Sequence, residues 1–402
     1  MTTHRLYPSH GLRSTLAFVR VLWLALALAA CGGGGGGVEI GGTGRVASAS
    51  GPITGFGSVV VNEVHFDDSS ATVTDADGNV RGRDELRLGM TTDISGSAIS
   101  TDASGTSVST ATSIVFGSEI LGRVESIDAA GGHFVALGQT VDINAATVFD
   151  DTSLAGGLAA LAVGDVVEVY GLFDAASGHY TATRIERKSA VTALRLRGIV
   201  SNFDAAAKAF NIGSVRISYA GFGGPLPATL ANSNFVRVRL ATAPVGGVWP
   251  VAALGDGTHK PGDADEARIE GLISAYTSPT RFSVNGVVVD ASGANPPTGI
   301  ALGVRVEVEG RSSGGVLIAT EVKIKTPGDV AGQDFELRGL ISAVNAPGLS
   351  FVLRGVTVNY TPAGTDFRNG TAAGLVVGAV VEARGTLSAD GTRLIASRIT
   401  FR

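Results

Sequence analysis

Short stretches in which apolar and polar residues alternate follow one another from about residue 50 to the end of the chain. In Val306-Glu307-Val308-Glu309, valines alternate with glutamates, as expected for a strand with one face in a core and the other in water. Gly, Asp, Asn and Ser interrupt these stretches every few residues, which indicates tight turns between strands. The pattern predicts an all-β body built from many short strands.

A glycine pattern recurs along this body. Two glycines seven positions apart bracket a strand in three segments, at Gly164/Gly171, Gly303/Gly310 and Gly378/Gly385. Gly89 and Gly96 bracket a weaker copy, and Ser233 to Leu240 is a copy that has lost both glycines. Another glycine lies within an apolar strand upstream of each copy, at Gly55, Gly122, Gly198, Gly271 and Gly339, with spacings of 67, 76, 73 and 68 residues. One unit is therefore repeated five times.

Each unit holds five or six short antiparallel strands in about 70 residues, and an open sheet of that size would expose its edges. Closure into a small barrel avoids this. A turn-rich element before the fourth strand favours an OB-like barrel, with a small sandwich as the alternative. The predicted domains are repeat 1 (52–119), repeat 2 (120–190), repeat 3 with an acidic linker (191–267), repeat 4 (268–335) and repeat 5 (336–402).

The first thirty residues have the organisation of a secretory signal. Arg5, Arg13 and Arg20 precede an apolar run from Val21 to Ala30, which is shorter than the about 20 residues that a membrane-spanning helix needs. The run ends in Leu28-Ala29-Ala30-Cys31, which resembles the lipobox of bacterial lipoproteins. We therefore predict a signal peptide over 1–30 and lipidation of Cys31, the only cysteine in the chain, which has no partner for an internal disulfide.

A glycine-rich segment follows the cysteine. It includes six consecutive glycines, Gly32 to Gly37, and such a sequence behaves as a flexible coil that spans about 25 Å over about 20 residues. Residues 31–51 are therefore predicted to be a tether. Gly32, where some lipoproteins have Asp, favours the outer membrane in the lipoproteins that this segment resembles. The predicted location is the cell envelope, lipid-anchored to the outer membrane of a Gram-negative bacterium.

The start of repeat 1 carries a family resemblance. Pro52 to Asn62 (PITGFGSVVVN), with Leu88-Gly89-Met90 behind it, resembles a family of tandem-repeat lipoproteins of proteobacteria that is described only as a domain of unknown function. The resemblance covers the lipobox, the glycine tract and all five repeats, although Glu63 replaces the glycine expected after Asn62. It implies the architecture and the envelope location, and it supplies no activity, substrate or catalytic residue.

Charge is unevenly distributed along the body. Without the three arginines of the signal the chain has 28 basic and 36 acidic residues, a net charge of −8, which argues against a nucleic-acid partner. Residues 51–119 carry a net charge of −7 and residues 191–255 a net charge of +5. The basic segment contains four arginines that alternate with apolar residues and so point to one face of their strands: Arg195, Arg197, Arg237 and Arg239.

If these two strands are neighbours, the four guanidinium groups form a candidate anion-binding row for a carboxylate or phosphate. The expected ligand is an acidic protein or glycan, and the acidic repeat 1 of a neighbouring molecule is one such partner. The competing interpretation is that the four side chains form an ordinary solvated face.

No catalytic or metal-binding arrangement is predicted, and no cofactor. The four histidines of the mature chain are scattered over different repeats and suggest surface positions: His65, His133, His179 and His259. The run from Asp75 to Asn79 lacks the spacing of a calcium loop and favours a hairpin turn. Asp67 and Asp68 are adjacent, so on a strand they would face opposite ways and could not flank one bond. The acidic run from Asp256 to Glu266 suggests a solvated linker.

These features favour a non-catalytic binding or scaffolding role in the cell envelope, with the membrane contacted through the N-terminal lipid. The alternative is an envelope protein that binds a small anion or a metal. A hydrolase is a third and weaker hypothesis, because no group of residues matches a hydrolytic site.

Overall fold

The computed structural model describes residues 45–259 and 262–402, and nearly every regular element in them is a β-strand. Strands form where the sequence alternates. In Arg281–Val284, for example, Phe282 and Val284 are 2% and 0% exposed while Arg281 faces solvent, as the period of two requires. Cys31 and the predicted signal and lipobox lie outside the described residues. Among the residues that are described, no helix has the length and apolar character needed to cross a bilayer.

The strands of repeat 1 are β1 (Val46–Pro52), β2 (Gly55–Phe56), β3 (Val59–Val61), β4 (Val64–Asp67), β5 (Thr72–Asp75), β6 (Thr91–Ser97), β7 (Ser100–Thr101) and β8 (Ser107–Phe116). Those of repeat 2 are β9 (Ile120–Asp128), β10 (His133–Ala136), β11 (Gln139–Asp142), β12 (Val148–Phe149), β13 (Val166–Asp174) and β14 (His179–Lys188). Repeat 3 contains β15 (Leu194–Asp204), β16 (Ala209–Ile212), β17 (Val215–Ser218), β18 (Phe235–Leu240) and β19 (Trp249–Asp256).

Repeat 4 contains β20 (Ala264–Ser278), β21 (Arg281–Val284), β22 (Val287–Asp290), β23 (Arg305–Ser313) and β24 (Val316–Ile324). Repeat 5 contains β25 (Phe335–Asn345), β26 (Ser350–Leu353), β27 (Val356–Asn359), β28 (Asp366–Arg368), β29 (Val380–Leu387) and β30 (Leu394–Phe401). Within residues 45–259 and 262–402, the helical elements are one short helix, α1 (Pro327–Ala331), and 3₁₀ turns at Arg83–Glu85, Gly157–Ala160 and Ala372–Gly374.

The strands close into small five-stranded barrels. In repeat 2, β9 pairs with β10, β10 with β11, β11 with β14, β14 with β13, and β13 again with β9. Repeats 3, 4 and 5 follow the same order, and repeat 1 follows it with β1 and β2 acting as one bent first strand. This is the OB-like barrel that the sequence predicted, and the sandwich alternative is wrong. The pairing of the third strand with the fifth is parallel, whereas the sequence predicted antiparallel strands throughout.

The paired glycines of the repeat have two separate structural roles. The first lies in the turn before the fourth strand, where Gly378 has a φ of +89° and Ser233, which replaces the glycine in repeat 3, also adopts a positive φ of 70°. The second lies at a bulge in the pairing of the fourth and fifth strands. A Cβ on Gly385 would be 1.9 Å from the backbone oxygen of Ile395, so only glycine allows the strands to approach this closely.

The repeat pattern suggests five separate barrels, but in the structure the barrels are joined to one another. Strand β1 pairs in parallel with β20 of repeat 4, β2 pairs with β25 of repeat 5, and β9 pairs with β15 across repeats 2 and 3. One hydrophobic core joins side chains of repeats 1 and 5 and includes Val148 and Tyr170 of repeat 2. A second core joins repeats 2 and 3, and a third lies within repeat 4. Residues 45–402 therefore form one compact unit.

The predicted tether is too long at its C-terminal end. Strand β1 begins at Val46, inside the predicted range of 31–51, and pairs on one side with β6 and on the other with β20. Ala47 and Ala49 are 0% and 2% exposed. The segment VASASG resembles coil because its side chains are small, but two neighbouring strands satisfy its backbone hydrogen bonds and cover it.

Candidate functional site

The four predicted arginines lie on one antiparallel strand pair. In the pairing of β15 with β18, Arg195 is opposite Arg239 and Arg197 is opposite Arg237. The row expected from the sequence therefore exists in the structure. Like charges directly opposite each other destabilise a strand pair, so the surroundings of these side chains decide what the row can do.

Arg197 is buried, and each of its three guanidinium nitrogens donates a hydrogen bond within the chain. Its Nη1 donates to Oε2 of Glu119 at 2.8 Å, its Nη2 donates to the carbonyl of Asn285 at 3.2 Å, and its Nε donates to the carbonyl of Gly257. The side chains of Arg197 and Glu119 are 6% and 2% exposed. An external anion cannot reach this guanidinium, so the prediction that Arg197 takes part in an open anion site is wrong.

His259 extends this contact to a fourth charged group. Its Nδ1 lies 2.7 Å from Oδ2 of Asp93, and its Nε2 lies 3.9 Å from Oε1 of Glu119. We call Asp93, Glu119, Arg197 and His259 the buried ion cluster. The sequence suggests a solvated linker at His259 and does not predict this contact, because Asp93 is 166 residues away and no local pattern connects the two.

The pKa directions in the cluster favour the charged forms. Burial acts against the charge on each carboxylate, but His259 holds the pKa of Asp93 below its ordinary value and Arg197 does so for Glu119. Burial also acts against the charge on His259, and the adjacent Asp93 carboxylate outweighs it and raises the pKa of the imidazole. The cluster therefore holds two anions facing two cations when His259 is protonated.

Two of the three remaining arginines, Arg195 and Arg237, also have partners from other repeats. Arg195 contacts Oδ2 of Asp77 at 3.0 Å and Oε1 of Glu168 at 3.1 Å, and Arg237 lies 3.5 Å from Oδ1 of Asp77. Burial and the neighbouring arginines lower the pKa of Arg237, although Asp77 opposes this. Arg239 is exposed and has no ion-pair partner in the described part of the chain. The acidic repeat 1 is thus a partner of the arginine row within the same molecule, and the row is mostly neutralised there.

A tight turn presents Asp77 to the arginines. The Asp75 carboxylate accepts hydrogen bonds from the backbone N–H groups of Asp77 and Asn79, and the Gly78 N–H donates to the Asp75 carbonyl. Arg81 also donates to Asp75. In a calcium loop this carboxylate would be a metal ligand. Here it accepts hydrogen bonds from the turn itself, as expected for the predicted hairpin turn. Within residues 45–259 and 262–402, no group of three His, Cys, Asp or Glu side chains is arranged to hold a metal.

A cleft of about 650 Å³ lies where repeats 1, 4 and 5 meet, and we call it the acidic cleft. Helix α1 and the segment after it form one wall, and Thr54, Val60 and Phe335 contribute to the lining. Five carboxylate side chains line it, against two cations and one histidine: Glu63, Glu270, Asp329, Asp334 and Glu336, with Lys325, Arg384 and His65. No local sequence pattern predicts this site, because its side chains come from three repeats.

Several of these charges are already paired. Glu270 lies 2.7 Å from Arg305, Glu336 lies 2.8 Å from Arg384, and Asp329 caps α1 through the N–H and hydroxyl of Thr326. Burial, and then the Arg384 charge, lower the pKa of His65, which is therefore uncharged at neutral pH. Glu63 and Asp334 are exposed and form no ion pair with any described residue. The cleft consequently has an excess of negative charge.

Three segments of the chain match one family model, a domain of unknown function (DUF5666), at residues 122–186, 270–323 and 338–400. They fall within repeats 2, 4 and 5, and each contains the principal strands of one barrel. These matches confirm the resemblance to a repeated domain of unknown function in repeats 2, 4 and 5. Repeat 1, whose first residues carry the resemblance in the sequence, is not among the matched segments. No curated protein matches the chain.

Proposed function

We propose that the chain is a lipid-anchored protein of the cell envelope whose body is a non-catalytic binding module. The domain of unknown function that three of its segments match supplies no activity. The ligand of the binding module is a basic polypeptide segment that enters the acidic cleft. The observation that carries this proposal is the cleft itself, an open concavity of about 650 Å³ in which carboxylates outnumber cations five to two.

The anchor is inferred from the sequence. A basic and then apolar leader precedes Leu28-Ala29-Ala30-Cys31, and the glycine-rich segment that follows provides distance between the lipid and β1. Stable anchoring requires more than one acyl chain, as in the bacterial lipoproteins that this segment resembles. Gly32 after the cysteine favours the outer membrane of a Gram-negative bacterium.

The body supports a binding role because it is stiff where the cleft is formed. β1 and β2 of repeat 1 extend the sheets of repeats 4 and 5, so the three barrels that line the cleft are joined by backbone hydrogen bonds. The Glu336 N–H also donates to the Thr54 carbonyl at 3.0 Å, between two residues of the cleft lining. A ligand therefore meets carboxylates that are already positioned, and little ordering is needed on binding.

The charge of the cleft selects the ligand class. Glu63 and Asp334 are exposed and unpaired, so lysine or arginine side chains can approach them without first breaking an internal ion pair. The predicted acidic protein or glycan is a poorer fit, because three of the four arginines expected to bind it already have partners within the chain. Binding through exposed charges is screened beyond about 8 to 10 Å at physiological salt, so the affinity falls as salt is added.

The proposal is tested by fluorescence anisotropy of the full chain in detergent with labelled oligolysine and, separately, oligoglutamate at low salt. We expect oligolysine to bind and Glu63→Gln with Asp334→Asn to weaken it by about tenfold, since each exposed ion pair contributes up to about 1 kcal/mol. The control removes two exposed carboxylates outside the cleft, Asp84→Asn with Glu321→Gln, and should change the affinity less than about twofold. Equal weakening by both variant pairs, or preferential binding of oligoglutamate, would overturn the proposal.

A further inference from the structure

The buried ion cluster lies where three repeats meet. Asp93 is on β6 of repeat 1, and Glu119 is in the link between β8 and β9. Arg197 is on β15 of repeat 3, and His259 follows β19 in the segment that leads to repeat 4. The carbonyl of Asn285, between β21 and β22 of repeat 4, also accepts from Arg197. A change of charge in this cluster therefore acts on contacts between barrels.

Protonation of His259 decides the charge balance of the cluster. With the imidazolium present, two carboxylates face one guanidinium and one imidazolium. Without it, Asp93 and Glu119 share the single charge of Arg197, which contacts only Glu119. Because an unpaired charge in a poorly hydrated site is costly, loss of this one proton weakens the contact between repeats 1 and 3.

Among the described residues, four charged groups lie near the imidazole. Asp93 approaches from β6, Glu119 from the β8–β9 link and Arg197 from β15, and Asp256 lies three residues away on the segment of His259 itself. The side chains of His259 and Asp93 are 20% and 26% exposed, so protons exchange with solvent without unfolding of a barrel.

We propose that His259 is a proton-controlled clamp, which holds repeat 3 against repeat 1 when protonated and loosens that junction when it loses its proton in alkaline medium. The sheet shared by β1 and β20 does not depend on this proton, so the change is a local opening at the arginine row. The clamp is independent of the ligand proposed for the acidic cleft.

The direction of the pH dependence follows from the raised pKa of His259. A group that binds its proton more tightly in the folded state contributes its full stabilisation below its unfolded pKa of about 6.5. That contribution is lost as the pH rises through the higher folded value. The pKa values of Asp93 and Glu119 are lowered, so these two groups change the stability only in acid, where protonation removes their charge.

The test is amide hydrogen exchange of the full chain in detergent, measured from pH 6 to pH 9 and corrected for intrinsic rates. We expect protection of β6 and β15 to fall by up to about tenfold per pH unit above pH 6.5, since one proton is involved, while β26 and β30 of repeat 5 do not change. In His259→Gln the pH-dependent loss should disappear, with protection low at every pH.

The matched control is His179→Gln. His179 also places Nδ1 near a carboxylate, 3.0 Å from Asp142, but both residues belong to repeat 2 and are about 40% exposed. This variant should keep the wild-type profile. If His259→Gln does not fold, Asp93→Asn provides the same information, because it removes the carboxylate that raises the pKa of His259, so the loss of protection shifts to lower pH. The clamp would be overturned if protection of β6 and β15 in the wild type did not fall with rising pH. It would also be overturned if the His259 and Asp93 variants lost protection over the same pH range as the wild type.

Discussion

Replacing Arg197 with methionine should destabilise the body more than replacing any other member of the arginine row. Methionine keeps the unbranched stem but removes the guanidinium that binds Glu119 and the carbonyls of Gly257 and Asn285. It also removes the cation that lies 4.5 Å from the ring centre of Phe235. The Glu119 side chain, at 2% exposure, then has only His259 as a partner, at 3.9 Å.

The size of the effect follows from this burial. Removing one partner of a buried ion pair leaves an uncompensated charge and costs about 3 to 5 kcal/mol. Arg239→Ala, in the same row but exposed and unpaired, should change the free energy of unfolding by less than about 0.5 kcal/mol. Glu119→Gln combined with Arg197→Met should be less destabilised than Arg197→Met alone, because no buried charge remains unpaired.

Urea unfolding at pH 6.5, followed by tryptophan fluorescence, measures these differences. Trp249 is the only tryptophan after the predicted signal and lies on β19 of repeat 3, next to the strand pair that carries the row. Two results would show that the cluster does not stabilise the junction as its contacts indicate. One is a loss of less than about 1 kcal/mol in the free energy of unfolding of Arg197→Met. The other is additivity, in which the double variant loses the sum of the free energies lost by Arg197→Met and Glu119→Gln separately.

Three other outcomes are expected. Mass spectrometry of membrane-extracted protein should find a lipid-modified N-terminus at Cys31, and Cys31→Ala should release the protein or stall its processing; an anchored protein with an unmodified N-terminus elsewhere would contradict this. Gly385→Ala should lower the free energy of unfolding by about 3 kcal/mol, at the upper end of overpacking costs, because its Cβ would meet the Ile395 carbonyl. Gly221→Ala is the control and should not lower it, because a Cβ at Gly221 enters open space. Ser233→Gly should raise the free energy of unfolding by up to about 1 kcal/mol, since its positive φ is costly for a residue with a Cβ; a decrease in urea midpoint would contradict it.

The barrels were predictable because their signals are local. Alternation with a period of two and turn residues between strands act over a few positions, and the repeated glycines report backbone constraints that every copy must meet. Ser233 shows how strong these constraints are, since repeat 3 keeps the same turn conformation after losing the glycine. The match to a domain of unknown function also follows the repeats, since its three segments fall within repeats 2, 4 and 5.

The arrangement of the barrels was not predictable from the sequence. The burial and pairing of the charged side chains between barrels were therefore not predictable either. The arginine row was found from alternation alone, but alternation gives the face of a strand and not what covers that face. Asp77, Glu119 and Glu168 reach the row only because repeats 1, 2 and 3 pack together. A solvated outer face and a buried contact between barrels have the same sequence pattern, so the sequence could not distinguish them.

The sequence by itself therefore determined the strands, the closed barrels and the turns, each of which depends on residues close together in the chain. Only the tertiary structure decided that β1 joins two sheets, that Arg197 is buried against Glu119, and that His259 meets Asp93 across 166 residues. It also placed the carboxylates of three repeats around one cleft. The physical reason is that electrostatic and packing energies depend on distance in space, and the folding of the chain sets that distance independently of separation in the sequence.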